Sequence, residues 1–201
     1  MTPAAISSNS IKLLVNKTID KATQTAIENL WTDDRDLQNK AYNHIMQVTE
    51  KPVDWAYEVW IDVVKNLSHA DNHNRAIATQ VLSNLAKNSD PKARILKDFN
   101  ALLAVTKDER FVTARHCMQS IWKVGAAGKK QQKMVVDGLA IRFEECISEK
   151  NGTLIRYDIL QSLRNLYDEV QDESVKAKAL ALIETEEDAK YRKKYATLWK
   201  K

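Results

Sequence analysis

The sequence predicts an all-α protein, an α-α superhelix of about five antiparallel helical hairpins with no β-sheet. Three observations carry this. The chain has only 4 Gly and 3 Pro in 201 residues, where ordinary usage gives about 14 and about 10. Its apolar residues recur at spacings of three and four, and no segment sustains an alternation of period two. Helix-capping residues recur at short intervals along most of its length. A chain so poor in turn formers cannot make many β-hairpins. It also lacks a phosphate-cradling glycine loop, because Gly125, Gly128, Gly138 and Gly152 fit neither G-x-G-x-x-G nor G-x-x-x-x-G-K.

The elements follow in order. Residues 1–10, rich in Ser, Asn and Thr, are read as a loose arm. A first helix is expected from about Ile11 to Trp31. Asp33 or Asp34 caps a second, which Lys51-Pro52 ends, since proline disfavours helical geometry in the residue before it. Trp55, Val59, Trp60, Val63, Val64 and Leu67 then share one helical face. Asp71 caps a helix carrying Ile77, Val81, Leu82 and Leu85. Asp90-Pro91 reads as N-cap and N1 of the next, with Ile95, Phe99 and Leu102. Asp108 opens a helix that Gly125 ends, and Gly128 opens a longer one stopped by Asn151-Gly152. Thr153 and Asp172 each start another. Thr185 with Asp188 three residues later has the spacing of a capping box and opens a basic final helix over residues 190–201. Links of about two to five residues force neighbours into antiparallel hairpins.

Alternate helices repeat one pattern. A base stands near the start of each second helix: Lys40, Arg75, Arg115, Arg156 and Arg192. The third position after it holds Asn43, Ala78, Met118, Ile159 and Tyr195, and the seventh holds Gln47, Leu82, Trp122, Leu163 and Trp199. Only the first unit is polar at these places, as befits a terminal repeat that faces water. A helix pair of about 35–41 residues with this pattern resembles the HEAT-repeat family, over residues 20–200. The resemblance implies one helical-repeat domain over residues 1–201, with a curved surface lined by the second helices. It also implies pairing of the second-helix base with a nearby acid. Asp36, Asp71 and Asp188 lie four residues before Lys40, Arg75 and Arg192, the favourable order on a helix. The third and fourth units have Phe111 and Gly152 there, which leaves Arg115 and Arg156 freer for a ligand.

Function is less legible. The formal charge of +4, from 31 basic and 27 acidic residues, does not by itself select nucleic acid. The last twelve residues carry six bases and no acid. Cys117 and Cys146 form no C-x-x-C, which points to a reducing, cytoplasmic setting without disulfides. No signal peptide or membrane span is expected, since the longest apolar runs are about five residues against the ~20 that a span needs. His69-Ala-Asp-Asn-His73 offers two imidazoles without a third ligand, so neither metal nor cofactor is expected. No catalytic residue is assigned. The candidate binding residues are the bases Lys40, Arg75, Arg115, Arg156 and Arg192 with Trp122 and Trp31. They predict a non-enzymatic scaffold that binds a protein or peptide on a concave, partly basic face. The alternative is a nucleic-acid protein resembling the HEAT-like alkylpurine DNA glycosylases, with Trp122, Arg115, Arg156 and Asp158 nearest to that family's aromatic, arginine and acid set. A third reading is a helical subunit of an oligomer.

Overall fold

The computed structural model describes residues 19–200. Eleven α-helices and three short 3-10 turns, with no strand, make up the regular structure of these residues. They are α1 (Lys21–Asn29), α2 (Arg35–Val48), α3 (Ala56–Asn66), α4 (Asn72–Asn88), α5 (Ile95–Ala104), α6 (Phe111–Ser120), α7 (Trp122–Gly125), α8 (Lys129–Glu145), α9 (Gly152–Val170), α10 (Glu173–Glu184) and α11 (Ala189–Ala196). Backbone at Ile121 stays right-handed helical, so α6 and α7 are one helix with a local tightening. The loose arm and the first part of the expected first helix, residues 1–18, lie outside the described residues, as does Lys201.

The helices form two layers. α3, α5, α8 and α10 pack in succession in one layer, and α2, α4, α6–α7, α9 and α11 do so in the other. This is the hairpin array that the sequence predicts. Its physical cause is that one amphipathic hairpin cannot bury both of its faces, so each is covered by the next. The repeated third positions Ala78, Met118, Ile159 and Tyr195 are all fully buried. At the seventh, Leu82 and Leu163 are fully buried, while Trp122 and Trp199 are partly buried against the same core. Asn43 and Gln47 of the first unit are exposed. Trp55 and Trp60 are core residues. Gly138 lies inside α8 because α5 comes close there: a Cβ would stand 2.9 Å from Leu103 Cδ2.

Several helix starts differ from expectation: Asp20 is the N-cap of α1, which starts at Lys21, and Arg110, two residues past Asp108, is that of α6. Asp90-Pro91 does not begin α5; a turn follows in which Ala93 takes φ 51. The Asp90 carboxylate instead accepts from the Arg94 and Ile95 backbone N–H groups at 2.8 and 2.9 Å, so it caps the helix from a greater distance along the chain. Thr185 ends α10, and Asp188 is the N-cap of α11, accepting from the Lys190 N–H at 2.8 Å.

The basic residues are used differently from the sequence expectation. None of the pairs Asp36–Lys40, Asp71–Arg75 and Asp188–Arg192 is among the ion pairs of the described residues. Asp71 and Asp188 are occupied as N-caps. The bonds instead run from one repeat to the next. Arg35 binds Asp71. Arg75 Nε and Nη2 bind Asp108 at 2.5 and 2.9 Å. Arg115 Nε and Nη2 bind Asp158 at 2.7 and 3.2 Å. Arg156 Nη1 binds Glu186 at 2.8 Å, its Nε donates to the Phe143 carbonyl at 3.1 Å, and its guanidinium lies 4.5 Å from the Phe143 ring centre. Arg115 and Arg156 thus have acid partners, which lie in the next repeat rather than four residues before them.

In all four clamps the acid stands at, just before or within the next second helix. Three of these acids also accept a backbone N–H, Asp71 from His73 at 2.9 Å, Asp108 from Arg110 at 2.9 Å and Glu186 from Asp188 at 3.1 Å. Burial alone would push the Asp108 carboxyl up, but the Arg75 bonds and the Arg110 N–H hold it below the usual carboxylate range.

Arg156 and Glu186 are 5% and 7% exposed. Arg156→Met leaves the Glu186 charge buried without its partner and is expected to cost about 3–5 kcal/mol in urea unfolding. Glu186→Leu added to it should recover most of that loss. A single-variant loss below about 1 kcal/mol would contradict the clamp.

Candidate functional site

The second helices share a band of polar and aromatic side chains. On α4, Gln80, Asn84 and Lys87 are spaced by four and three residues, which sets them along one face. On α9, Gln161, Arg164, Asn165 and Asp168 do the same. Bonds between helices join these rows. Tyr42 of α2 donates to Gln80 at 2.8 Å. Asn84 donates to Thr49 Oγ1 at 3.1 Å and accepts from Lys123 Nζ at 2.6 Å. Lys87 stands 5.2 Å from the Trp122 ring centre and bonds Glu169 of α9 at 2.7 Å. Further along, Arg164 binds Asp168 and lies 5.9 and 5.6 Å from the ring centres of Tyr167 and Trp199. Tyr167 and Trp199 are themselves packed at 5.7 Å.

Trp122 and Lys123 sit in the middle of this band. Trp122 is partly buried, with Lys87 across its ring. Lys123 is half-buried and forms no ion pair among the described residues. Burial, then the neighbouring Lys87 charge, push its ammonium below the ordinary lysine value, and Glu50 opposes this only in part. A half-buried ammonium held by one amide oxygen has donor capacity left for an acceptor from outside.

The candidates from the sequence fall in several places. Trp122 belongs to the band. Arg115 borders it, bound to Asp158 but with 42% of its side-chain surface exposed. Arg75 is enclosed, and its Nη1 donates to the His69 and Ala70 carbonyls at 2.8 and 2.9 Å. Arg156 is buried. Lys40 is exposed at the α1–α2 end, and Arg192 is partly exposed on α11. Trp31 is partly buried against the core and faces a separate depression with Asp62, Lys65 and His69. The five bases thus do not make a free basic ladder.

Asp158, the acid nearest in register to the glycosylase set, gives both oxygens to Arg115 and is 4% exposed. With Arg156 turned to Glu186, that constellation is absorbed by packing. His69 Nδ1 accepts the Asp71 backbone N–H at 3.0 Å, so it serves the turn before α4. Among the described residues no three or more His, Cys, Asp or Glu gather as a metal site, and no helix is long and apolar enough to cross a membrane. Cys117 and Cys146 are free and buried, and burial raises both thiols above their ordinary values.

Tyr42, Gln80, Asn84, Lys87, Lys123 and Arg164 were not legible as site residues. Their signal is a polar row at i, i+4, i+7 on helices that are otherwise apolar. It is outweighed in sequence by the apolar period on the same helices.

No family model matches the chain, and no curated protein sequence matches it. The chain is similar to a number of solved structures, among them two repeat-like proteins. One is an engineered protein whose crystal structure comes from the Northeast Structural Genomics Consortium, at 17% identity and a TM-score of 0.55, covering 96% of this chain and 82% of that one. The other is a designed armadillo repeat protein in complex with the peptide (KR)4, at 14% identity and a TM-score of 0.49, covering 90% of this chain and 88% of that one. At this identity the first likeness establishes the fold alone. The chain is an all-helical, solenoid-like repeat protein.

Lys87→Met removes the neighbouring charge and is expected to move the Lys123 pKa upward, toward the ordinary lysine value, in a side-chain NMR titration. An unchanged value would show that the two ammonium groups do not sense each other.

Proposed function

We propose that this chain is a non-enzymatic scaffold that holds a protein or peptide partner against the second-helix band. The observation that carries this is the partly buried Trp122 ring with Lys87 over it, next to Lys123, whose ammonium is held by the Asn84 amide. Amide groups offer both a donor and an acceptor, as a peptide backbone requires. A partly buried tryptophan supplies the apolar anchor typical of contact hot spots.

The signs of charge favour a protein partner over nucleic acid. Lys87 is matched by Glu169, Arg164 by Asp168 and Arg115 by Asp158. Phosphate binding requires a continuous basic stripe, which this alternation interrupts. The reading includes a reducing, cytoplasmic setting, supported by two free buried thiols.

The test is screening the chain against a library of extended peptides, with a duplex DNA series across salt as counter-screen. Peptides selected by the chain should lose about tenfold or more in affinity on Trp122→Ala, a typical cost for an aromatic anchor. Absence of any peptide ligand, together with DNA binding that falls steeply with salt, would overturn the reading in favour of nucleic acid.

A further inference from the structure

The start of the array carries an open groove between α1 and α2, of about 570 Å³. That volume lies within the range of functional binding sites, about 300–1,000 Å³. Ala22, Ala26 and Ala41 line it, Leu37 stands in it at 44% exposure, and Lys21 and Lys40 belong to its wall. Three alanines keep the contact surface low, so an approaching helix can come near the small end of the usual 8–10 Å between packed axes. A large exposed leucine beside them gives that helix an apolar contact to cover. Farther along the array the equivalent helices are covered by the preceding repeat. Here the described residues supply no cover.

The charge of the groove is one-sided. No Asp or Glu lines it, and neither Lys21 nor Lys40 forms an ion pair among the described residues. The other polar groups are turned inward: Thr25 Oγ1 donates to the Lys21 carbonyl, Asn29 Nδ2 to the Thr25 carbonyl, and the His44 ring meets Thr23 Oγ1 at 2.9 Å. What remains unmatched is apolar surface between two ammonium groups.

We propose that this groove docks an amphipathic helix of a partner protein, apolar on one face and flanked by Asp or Glu. Such helices place anchors at i, i+3, i+4 and i+7 into an apolar groove, and acids beside them would meet Lys21 and Lys40. Charge separates this occupant from two others. A second copy stacking head to tail would present α11, which carries Lys190, Arg192, Lys193 and Lys194 and no acid. The chain's own residues 1–18 hold Lys12 and Lys17 and likewise no acid. Either would bring like charge to the groove. The site is separate from the second-helix band and does not depend on its occupancy.

The experiment is fluorescence anisotropy with the full chain and two labelled 16-residue helical peptides. Both carry Leu at i, i+3, i+4 and i+7, one with Glu on the flanks and one with Lys. The Glu peptide should bind and the Lys peptide should not. In the Lys21→Glu/Lys40→Glu chain, both changes being on the surface, the Glu peptide should weaken about tenfold or more while the Lys peptide gains. That size follows from two surface ion pairs turned into repulsions, each of the order measured for exposed pairs. Equal binding of both peptides, or no response to the charge reversal, overturns the proposal. So does rejection of both peptides by the wild-type chain with binding restored in a full-length Leu14→Glu/Val15→Glu variant, which assigns the groove to the chain's own N-terminal residues. Self-association of the wild-type chain that disappears in Leu37→Glu overturns it in favour of a second copy.

Discussion

Each second helix is tied to the next repeat by an arginine. Arg35, Arg75, Arg115 and Arg156 reach Asp71, Asp108, Asp158 and Glu186 across 36, 33, 43 and 30 residues of sequence. Apolar stacking supplies most of the driving force for an array of this kind, but it is non-directional and does not fix how one hairpin lies on the next. Arg75 and Arg115 each meet their carboxylate through two bonds, which fixes the geometry of the pair. The net stability from a buried pair is small, because desolvation offsets most of the attraction. What the clamps add is register. Asp71, Asp108 and Glu186 also accept backbone N–H groups near helix starts. One acid therefore sets both where the next helix begins and where it sits.

The same use of the bases decides where a partner can act. Arg35, Arg75, Arg115 and Arg156 are occupied by acids of the neighbouring repeats. The remaining surface is a band with amide groups, paired ions and the aromatic rings of Trp122, Tyr167 and Trp199. A surface of that kind suits an extended polypeptide better than a phosphate backbone, because it matches groups of both signs and both hydrogen-bonding senses. Two cations without an acid partner among the described residues, Lys21 and Lys40, stand at the beginning of the array, where stacking stops. The repeat architecture thus creates two different surfaces, one along its length and one at its open end.

Much of the fold was legible from local signals. Period-3.6 apolar spacing, Asp34, Asp71 and Asp172 as caps, and the apolar third position of each second helix act within a few residues, and all reappear in the structure. The contents of the site were not legible in this way. An acid four residues before a base looks like its partner, yet Asp71 and Asp188 are taken by backbone N–H groups, and Arg75 finds its acid 33 residues on. Nothing local distinguishes Asp108 from another helix-starting aspartate. The band has the same difficulty, since Lys87, Trp122 and Glu169 meet only after three repeats have stacked. At Asp90-Pro91 the usual cap geometry was legible, but the positive φ at Ala93, which delays α5, was not.

The most direct test of the register account is a double-mutant cycle on Arg75 and Asp108, whose side chains are 12% and 4% exposed. Arg75→Met, Asp108→Asn and the double variant are compared with the wild type in urea unfolding. The account predicts a coupling of about 1–3 kcal/mol, within the range seen for residues in one bonded network. Additive losses, with no coupling between the two positions, would contradict it.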